Sequence, residues 1–200
     1  CYRTADGQVR PFLDRKRLAL LGRHNIENAL AVAALCLRGA GLPPETLAEA
    51  LASFRPSPHR LEKVAELDGV LYVNDSKATN LDAAEQAIRA VAEEVPGKIL
   101  LIAGGLDKGI DFQPLTPLLK EFVKAVFLIG KCRESLAELW GGAVSCSLHD
   151  SLEAAVDAAK SEARPGDCVL LAPGCASMDM FRNYADRGQR FINHVTRRLG

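Results

Sequence analysis

From residue 61 onward the chain alternates short apolar runs with longer amphipathic segments, and this rhythm limits its fold more than any other feature. Strand-like runs at 61–67, 70–74, 99–103, 126–129, 144–146 and 168–172 alternate with helical patterns at 81–95, 115–124, 135–140, 151–163 and 178–199. Single strands separated by helices need right-handed crossovers, and therefore a parallel sheet covered by helices on both faces. Asp68-Gly69, between the first two runs, is a type I′ hairpin signal that predicts one antiparallel strand at the sheet edge. The expected fold class is α/β, with a Rossmann-like, mostly parallel sheet.

The first 55 residues follow another pattern. Residues 1–21 alternate weakly around Asp6-Gly7, as short strands do. Ile26, Leu30, Ala33, Ala34 and Leu37 recur at helical spacing behind Asn25, a suitable N-cap, and Pro43-Pro44 opens a second helix. Pro56 and Pro58 forbid a helix and favour an extended connector, so the expected division is 1–55 and 56–200. The opening residues read as the middle of a hairpin, which leads us to expect a fragment whose first part belongs to a larger domain.

Acidic and basic residues number 25 each, so the composition draws the chain toward neither nucleic acid nor membrane, and small molecules are the expected partners. No apolar stretch approaches the roughly 20 residues that span a bilayer. The six cysteines contain no C-x-x-C pair and read as reduced, packed thiols of a cytoplasmic protein.

Four loops follow the apolar runs, where an open parallel sheet binds its ligands. Loop 74–80 sets Asp75, Lys77 and Thr79 between a buried strand and a helix N-terminus, a place that favours anions; Thr79 or Asn80 also serves as the helix cap. Loop 104–109 pairs three glycines with Lys108, a point charge for a carboxylate or phosphate. It is not a Walker loop, because no G-K-[ST] follows a leading glycine by four residues. Gly130-Lys131 forms the third loop. Loop 173–177 ends in Ser177, read either as the N-cap of the last helix or as a partner for a bound carboxylate. Cys175 has no histidine near enough in sequence to support a catalytic thiol. Asn25 and Asn28 lie three residues apart on one helical face and suit the edge of a base such as adenine. Arg60 either forks onto a phosphate or pairs with Glu62. Trp140 and His149 receive no role.

Gly22-Arg23-His24-Asn25-Ile26-Glu27-Asn28, His59-Arg60-Leu61-Glu62, the two loops 74–80 and 104–109, and Ala172 to Phe181 occur in one order that resembles the Mur ligase family. The resemblance implies an ATP- and Mg²⁺-dependent, monomeric enzyme of peptidoglycan synthesis that joins D-glutamate to UDP-N-acetylmuramoyl-L-alanine through an acyl phosphate. It implies that residues 1–55 end a central ATP-binding domain and that 56–200 form the carboxyl-terminal domain. Carried over by motif position, Asn25 and Asn28 would meet the adenine side of ATP. Arg60 and Asp75 would meet its phosphates and ribose, with Lys77 in the same motif. Thr79, Lys108 and Ser177 would hold D-glutamate, and Tyr184 stands where the family often has Phe. The Walker-type loop and metal ligands of the family are not in this sequence, so the chain alone is expected to be inactive. The rival readings are a related ligase, such as a folylpolyglutamate synthase, and a non-catalytic nucleotide-binding domain.

Overall fold

The computed structural model describes residues 1–3 and 6–197, so the expected end of the last helix at Leu199 lies outside the described residues. The chain divides into two compact units, Cys1–Pro56 and Ser57–Gly200.

In the first unit, β1 (Tyr2–Arg3) pairs antiparallel with β2 (Val9–Arg10). Helices α1 (Arg23–Arg38) and α2 (Pro44–Ser53) follow, the latter with proline in its first turn. The N-cap of α1 is Gly22 (φ 84°) and not Asn25. Asn25 sits inside the first turn and donates from Nδ2 to the Leu21 carbonyl at 2.7 Å. Ala29 and Ala33 are buried on α1, whereas Leu30, expected on the apolar face, is 55% exposed.

The second unit is built on a six-stranded sheet in the order β3-β4-β8-β5-β6-β7. Its strands are β3 (Glu62–Leu67), β4 (Val70–Asn74), β5 (Ile99–Gly104), β6 (Val123–Ile129), β7 (Ser145–Leu148) and β8 (Cys168–Leu171). Between and after them run α3 (Leu81–Ala92), α4 (Thr116–Phe122), α5 (Arg133–Trp140), α6 (Leu152–Glu162) and α7 (Tyr184–Thr196). All neighbouring pairs are parallel except β3 with β4 at the edge. That edge turn has φ 53° at Asp68 and φ 75° at Gly69, the two positive values a type I′ turn requires.

Every residue of β5 and β8 is buried, as central strands covered on both faces must be. One face is closed by α6 and α7, whose Ala155, Val156, Phe191 and Val195 pack on Leu100, Ile102, Phe127 and Val169. The other carries α3, α4 and α5 by the handedness of their crossovers. There Trp140 of α5 meets Phe112 edge-on, with ring centroids 5.9 Å apart, and donates to the Phe112 carbonyl. Each fully buried Leu or Ile in these layers contributes about 1.5–3 kcal/mol.

Element boundaries differ from expectation in two places. Strand β6 begins at Val123, so it takes over the residues expected to end α4. Helix α7 begins at Tyr184 rather than Met178, with Asn183 as its cap. Ser177 is therefore not an N-cap.

Candidate functional site

Inserting β8 between β4 and β5 brings the loops that follow these strands onto one rim. The loops are then joined by backbone hydrogen bonds. Asp75 N–H donates to the Leu171 carbonyl at 2.8 Å, Gly104 N–H to Pro173 at 2.9 Å, and Gly174 N–H to Ala78 at 2.9 Å. Leu106 and Ala176 exchange both bonds of a short antiparallel bridge, at 2.9 and 3.2 Å. The third loop joins through Cys132 N–H to the Gly105 carbonyl (3.0 Å) and Lys131 N–H to Asp179 Oδ2 (2.9 Å).

On this frame Thr79 is half-buried, Lys108 exposed and Ser177 buried, each on a loop bonded to the next. Asn80, not Thr79, caps α3: its Oδ1 accepts from Ala83 N–H at 2.9 Å, which leaves the Thr79 hydroxyl outside the cap. Tyr184 occupies the first position of α7. Its carbonyl accepts from Ser76 Oγ at 2.7 Å, Lys77 Nζ lies 5.6 Å from its ring centroid, and the His59 ring meets it edge-on. Lys77 and Tyr184, assigned from sequence to different ligands, are thus neighbours. Asn25 and Asn28 belong to the first unit, where Asn28 is exposed on α1 one turn after Asn25.

The base of the first loop is rigidly braced. His59 (φ 64°) donates its N–H to Glu62 Oε2 at 2.9 Å, and its carbonyl accepts from Lys77 N–H at 3.1 Å. Ser76 N–H donates to Asn74 Oδ1 at 3.1 Å, which fixes the orientation of that amide. Asn74 Nδ2 is then a donor to Glu62 Oε2 at 3.1 Å and to His59 Nδ1 at 2.9 Å, so the acceptor nitrogen of His59 is Nδ1. Glu62 is engaged by His59 and Asn74, and Arg60 stands exposed beside Asp75.

Burial pushes the Asp75 carboxyl up to about 6, against the opposing pull of the Leu61 N–H and of Arg60. A carboxyl raised in the folded state favours folding when protonated, so its contribution is complete below its ordinary value near 4 and is lost as pH rises through about 6. We expect Asp75→Asn to remove about 2 kcal/mol of the fall in unfolding free energy between pH 4 and pH 7. Urea titrations of the protein and the variant at both pH values measure it; identical slopes would contradict the burial argument.

A residue that the sequence reading passed over holds the rim together. Arg187 of α7 has no solvent exposure, and it donates from Nε to Ser76 Oγ (3.0 Å) and from Nη2 to the Ser76 carbonyl (2.9 Å). Both terminal nitrogens also reach the Cys175 carbonyl at 3.2 Å. Burial draws its guanidinium down to about 10, so a charged fork sits under two loops and is met by carbonyl oxygens. The available signal was spacing, since Arg187 shares the buried face of α7 with Phe191 and Val195.

Residues 59–175 match the family described as Mur ligase, glutamate ligase domain. The chain is 46% identical over 200 residues to the UDP-N-acetylmuramoylalanine--D-glutamate ligase of Acidobacterium capsulatum, covering all of this chain and 42% of that protein. It is 48% identical over 174 residues to the ligase of the same name from Marinobacter nauticus, covering 87% of this chain and 39% of the relative. The chain thus spans about two fifths of the length of these relatives. Among solved structures, folylpolyglutamate synthase of Mycobacterium tuberculosis complexed with ADP superposes with TM-score 0.67 at 19% identity, over 88% of this chain and 41% of that one. UDP-N-acetylmuramate-alanine ligase of Thermotoga maritima does so with TM-score 0.65 at 18% identity, over 90% and 40%. At such identities these likenesses show the fold.

Proposed function

The chain belongs to the Mur ligase family, and from that premise we propose that it is the amino-acid-binding part of an ATP-dependent ligase joining D-glutamate to UDP-N-acetylmuramoyl-L-alanine in cytoplasmic peptidoglycan synthesis. Residues 1–55 would end the central ATP-binding domain, and 56–200 would form the carboxyl-terminal domain.

The observation that carries this reading is the hydrogen-bonded rim, which sets the exposed cation Lys108 and the hydroxyls of Thr79 and Ser177 on adjacent loops. A dicarboxylate amino acid needs such a set: a fixed positive charge for one carboxylate and neutral donors for the other. In the reaction ATP phosphorylates the carboxylate of the acceptor and releases ADP. The amine of D-glutamate then attacks the acyl phosphate, the carbon–nitrogen bond forms, and phosphate leaves. The rim contributes orientation, holding the amine along the line of attack.

Arg60 and Lys77 would supply positive charge for the nucleotide's phosphates and Asp75 an acceptor for its ribose, while Asn25 and Asn28 of the first unit carry carboxamides suited to a base. Tyr184 fits a positioning role, its ring against Lys77 and its carbonyl tied to Ser76. Mg²⁺ would neutralise phosphate charge. Among the described residues no three His, Cys, Asp or Glu side chains gather to hold a metal ion. Nor is any described helix long and apolar enough to cross a membrane.

Lys108→Ala in the full-length enzyme is expected to raise KM for D-glutamate about 30-fold, the worth of a charge-assisted hydrogen bond of about 2 kcal/mol. KM for ATP should move less than about twofold on the same scale. Steady-state kinetics with each substrate varied in turn decides it, and unchanged D-glutamate kinetics would remove Lys108 from the site.

A further inference from the structure

Two thiols meet where the loops after β6 and β8 touch. The sulfurs of Cys132 and Cys175 lie 3.4 Å apart, although 43 residues separate them in sequence. Cys175 is fully buried and Cys132 is 6% exposed. Both are set against Gly105: the Cys132 N–H donates to its carbonyl at 3.0 Å, and a Cβ added at that glycine would stand 3.2 Å from Cys175 Cβ. Lys131 and Arg133, on either side of Cys132, line an open groove of about 360 Å³ with Glu134, Asp150 and Asp179; Cys132 is not itself part of that lining, and its 6% exposure is the access the pair has to solvent.

The two thiols are chemically unequal. The hydrogen bond with Cys175, helped by the backbone N–H of Gly105, draws the Cys132 thiol below its ordinary range against the opposing effect of burial. The same hydrogen bond and burial push Cys175 far up. Cys132 also caps the N-terminus of α5, a position that favours a thiolate. Cys132 is therefore the more acidic of the two thiols and the nucleophile of the pair.

From the contact and the shared anchor we infer that Cys132 and Cys175 form a reversible disulfide when the protein meets a peroxide, and that this bond switches off the rim that carries Ser177. The Cys132 thiolate attacks one peroxide oxygen; the O–O bond breaks and hydroxide leaves as water after taking a proton. Cys175, giving up its proton, attacks the resulting sulfenic sulfur; the S–S bond forms, the S–O bond breaks, and a second water leaves. Two thiols are oxidised and one hydrogen peroxide is reduced to two waters. A dithiol returns both cysteines to their starting state.

A disulfide is about 2.05 Å long. Closing a 3.4 Å contact to that length across a glycine already packed on both loops displaces loop 173–177, and Ser177 stands two residues from Cys175. A misplacement of about 1 Å at a positioning group costs up to about 100-fold in rate. This functional consequence rests on the D-glutamate reading above; formation of the bond does not.

The test is to treat the full-length protein with hydrogen peroxide, denature it, alkylate the remaining thiols, and map peptides by mass spectrometry without reduction. The expected result is a Cys132–Cys175 cross-linked peptide lighter by two hydrogens than the two thiol peptides together, with Cys1, Cys36, Cys146 and Cys168 alkylated. D-Glutamate ligation should fall at least about tenfold and return with dithiothreitol, while Cys132→Ser keeps the reduced activity and loses the sensitivity. A cross-link that forms only after unfolding in urea overturns the inference, as does stepwise oxidation of Cys132 without Cys175. A native cross-link that leaves ligation untouched overturns the switch. Because mapping uses the unaltered protein, a poorly folding variant does not impede it, and mapping succeeds even where the D-glutamate reading fails.

Discussion

Replacing Arg187 by Met should lower the unfolding free energy of the Ser57–Gly200 unit by about 3–5 kcal/mol, the largest single-residue effect expected in the chain. The Met side chain fills much of the volume but donates nothing. The Ser76 and Cys175 carbonyls then lose their shared donor in a region closed to water. Each orphaned buried acceptor costs about 1–3 kcal/mol, and the lost hydrogen bond to Ser76 Oγ adds to this. Arg187→Lys should recover less than half, because a single ammonium cannot reproduce a fork that reaches two loops from one helix. The sequence contains one tryptophan, and Trp140 is 1% exposed in this unit, so its fluorescence during urea titration reports this transition alone. A loss below about 1 kcal/mol would show that water satisfies both carbonyls and that Arg187 does not brace the rim.

Gly105→Ala is expected to cost about 3–4 kcal/mol by a different route. Its φ of 141° lies where L residues rarely go, and an added Cβ would collide with the Ala176 carbonyl and press on Cys175. Relieving that clash breaks the Leu106–Ala176 bridge, which ties Lys108's loop to Ser177's loop. The change should therefore appear as a lower urea midpoint and as faster hydrogen exchange at the Leu106 and Ala176 amides. Gly109→Ala is the control. It meets nothing within 4 Å and carries only the strain of φ 76°, about 1 kcal/mol. Equal effects at the two glycines would mean that backbone strain alone, and not the close approach of the loops, sets the cost.

What the sequence made legible was local. Asp68-Gly69 announced the edge hairpin because two successive positive φ values suit few residue pairs, and β5 announced itself as an unbroken apolar run because a central strand has no wet face. The start of α7 was misread because Met178 and Phe181 mimic a helical face. The true signal was Asn183 three residues before Asp186, whose N–H its Oδ1 accepts at 2.9 Å. Val123 was assigned to a helix because α4 passes directly into β6 between Phe122 and Val123, with no glycine or proline to mark the switch. At the candidate site, the loops and their polar residues could be read off, but not what joins them. Arg187 meets Ser76 across 111 positions and Cys132 meets Cys175 across 43, and both contacts exist only because β8 enters between β4 and β5. No local pattern encodes that insertion.

The same insertion sets the order of events during synthesis. Strands β4 and β5 are made early, yet the edges they turn toward each other have no hydrogen-bonding partner until Cys168–Leu171 emerges. A nascent chain halted before that point presents two unpaired apolar borders, the kind that pair with other chains. Folding of this unit must await nearly its whole length, and truncation upstream of residue 168 should yield insoluble protein rather than a smaller domain.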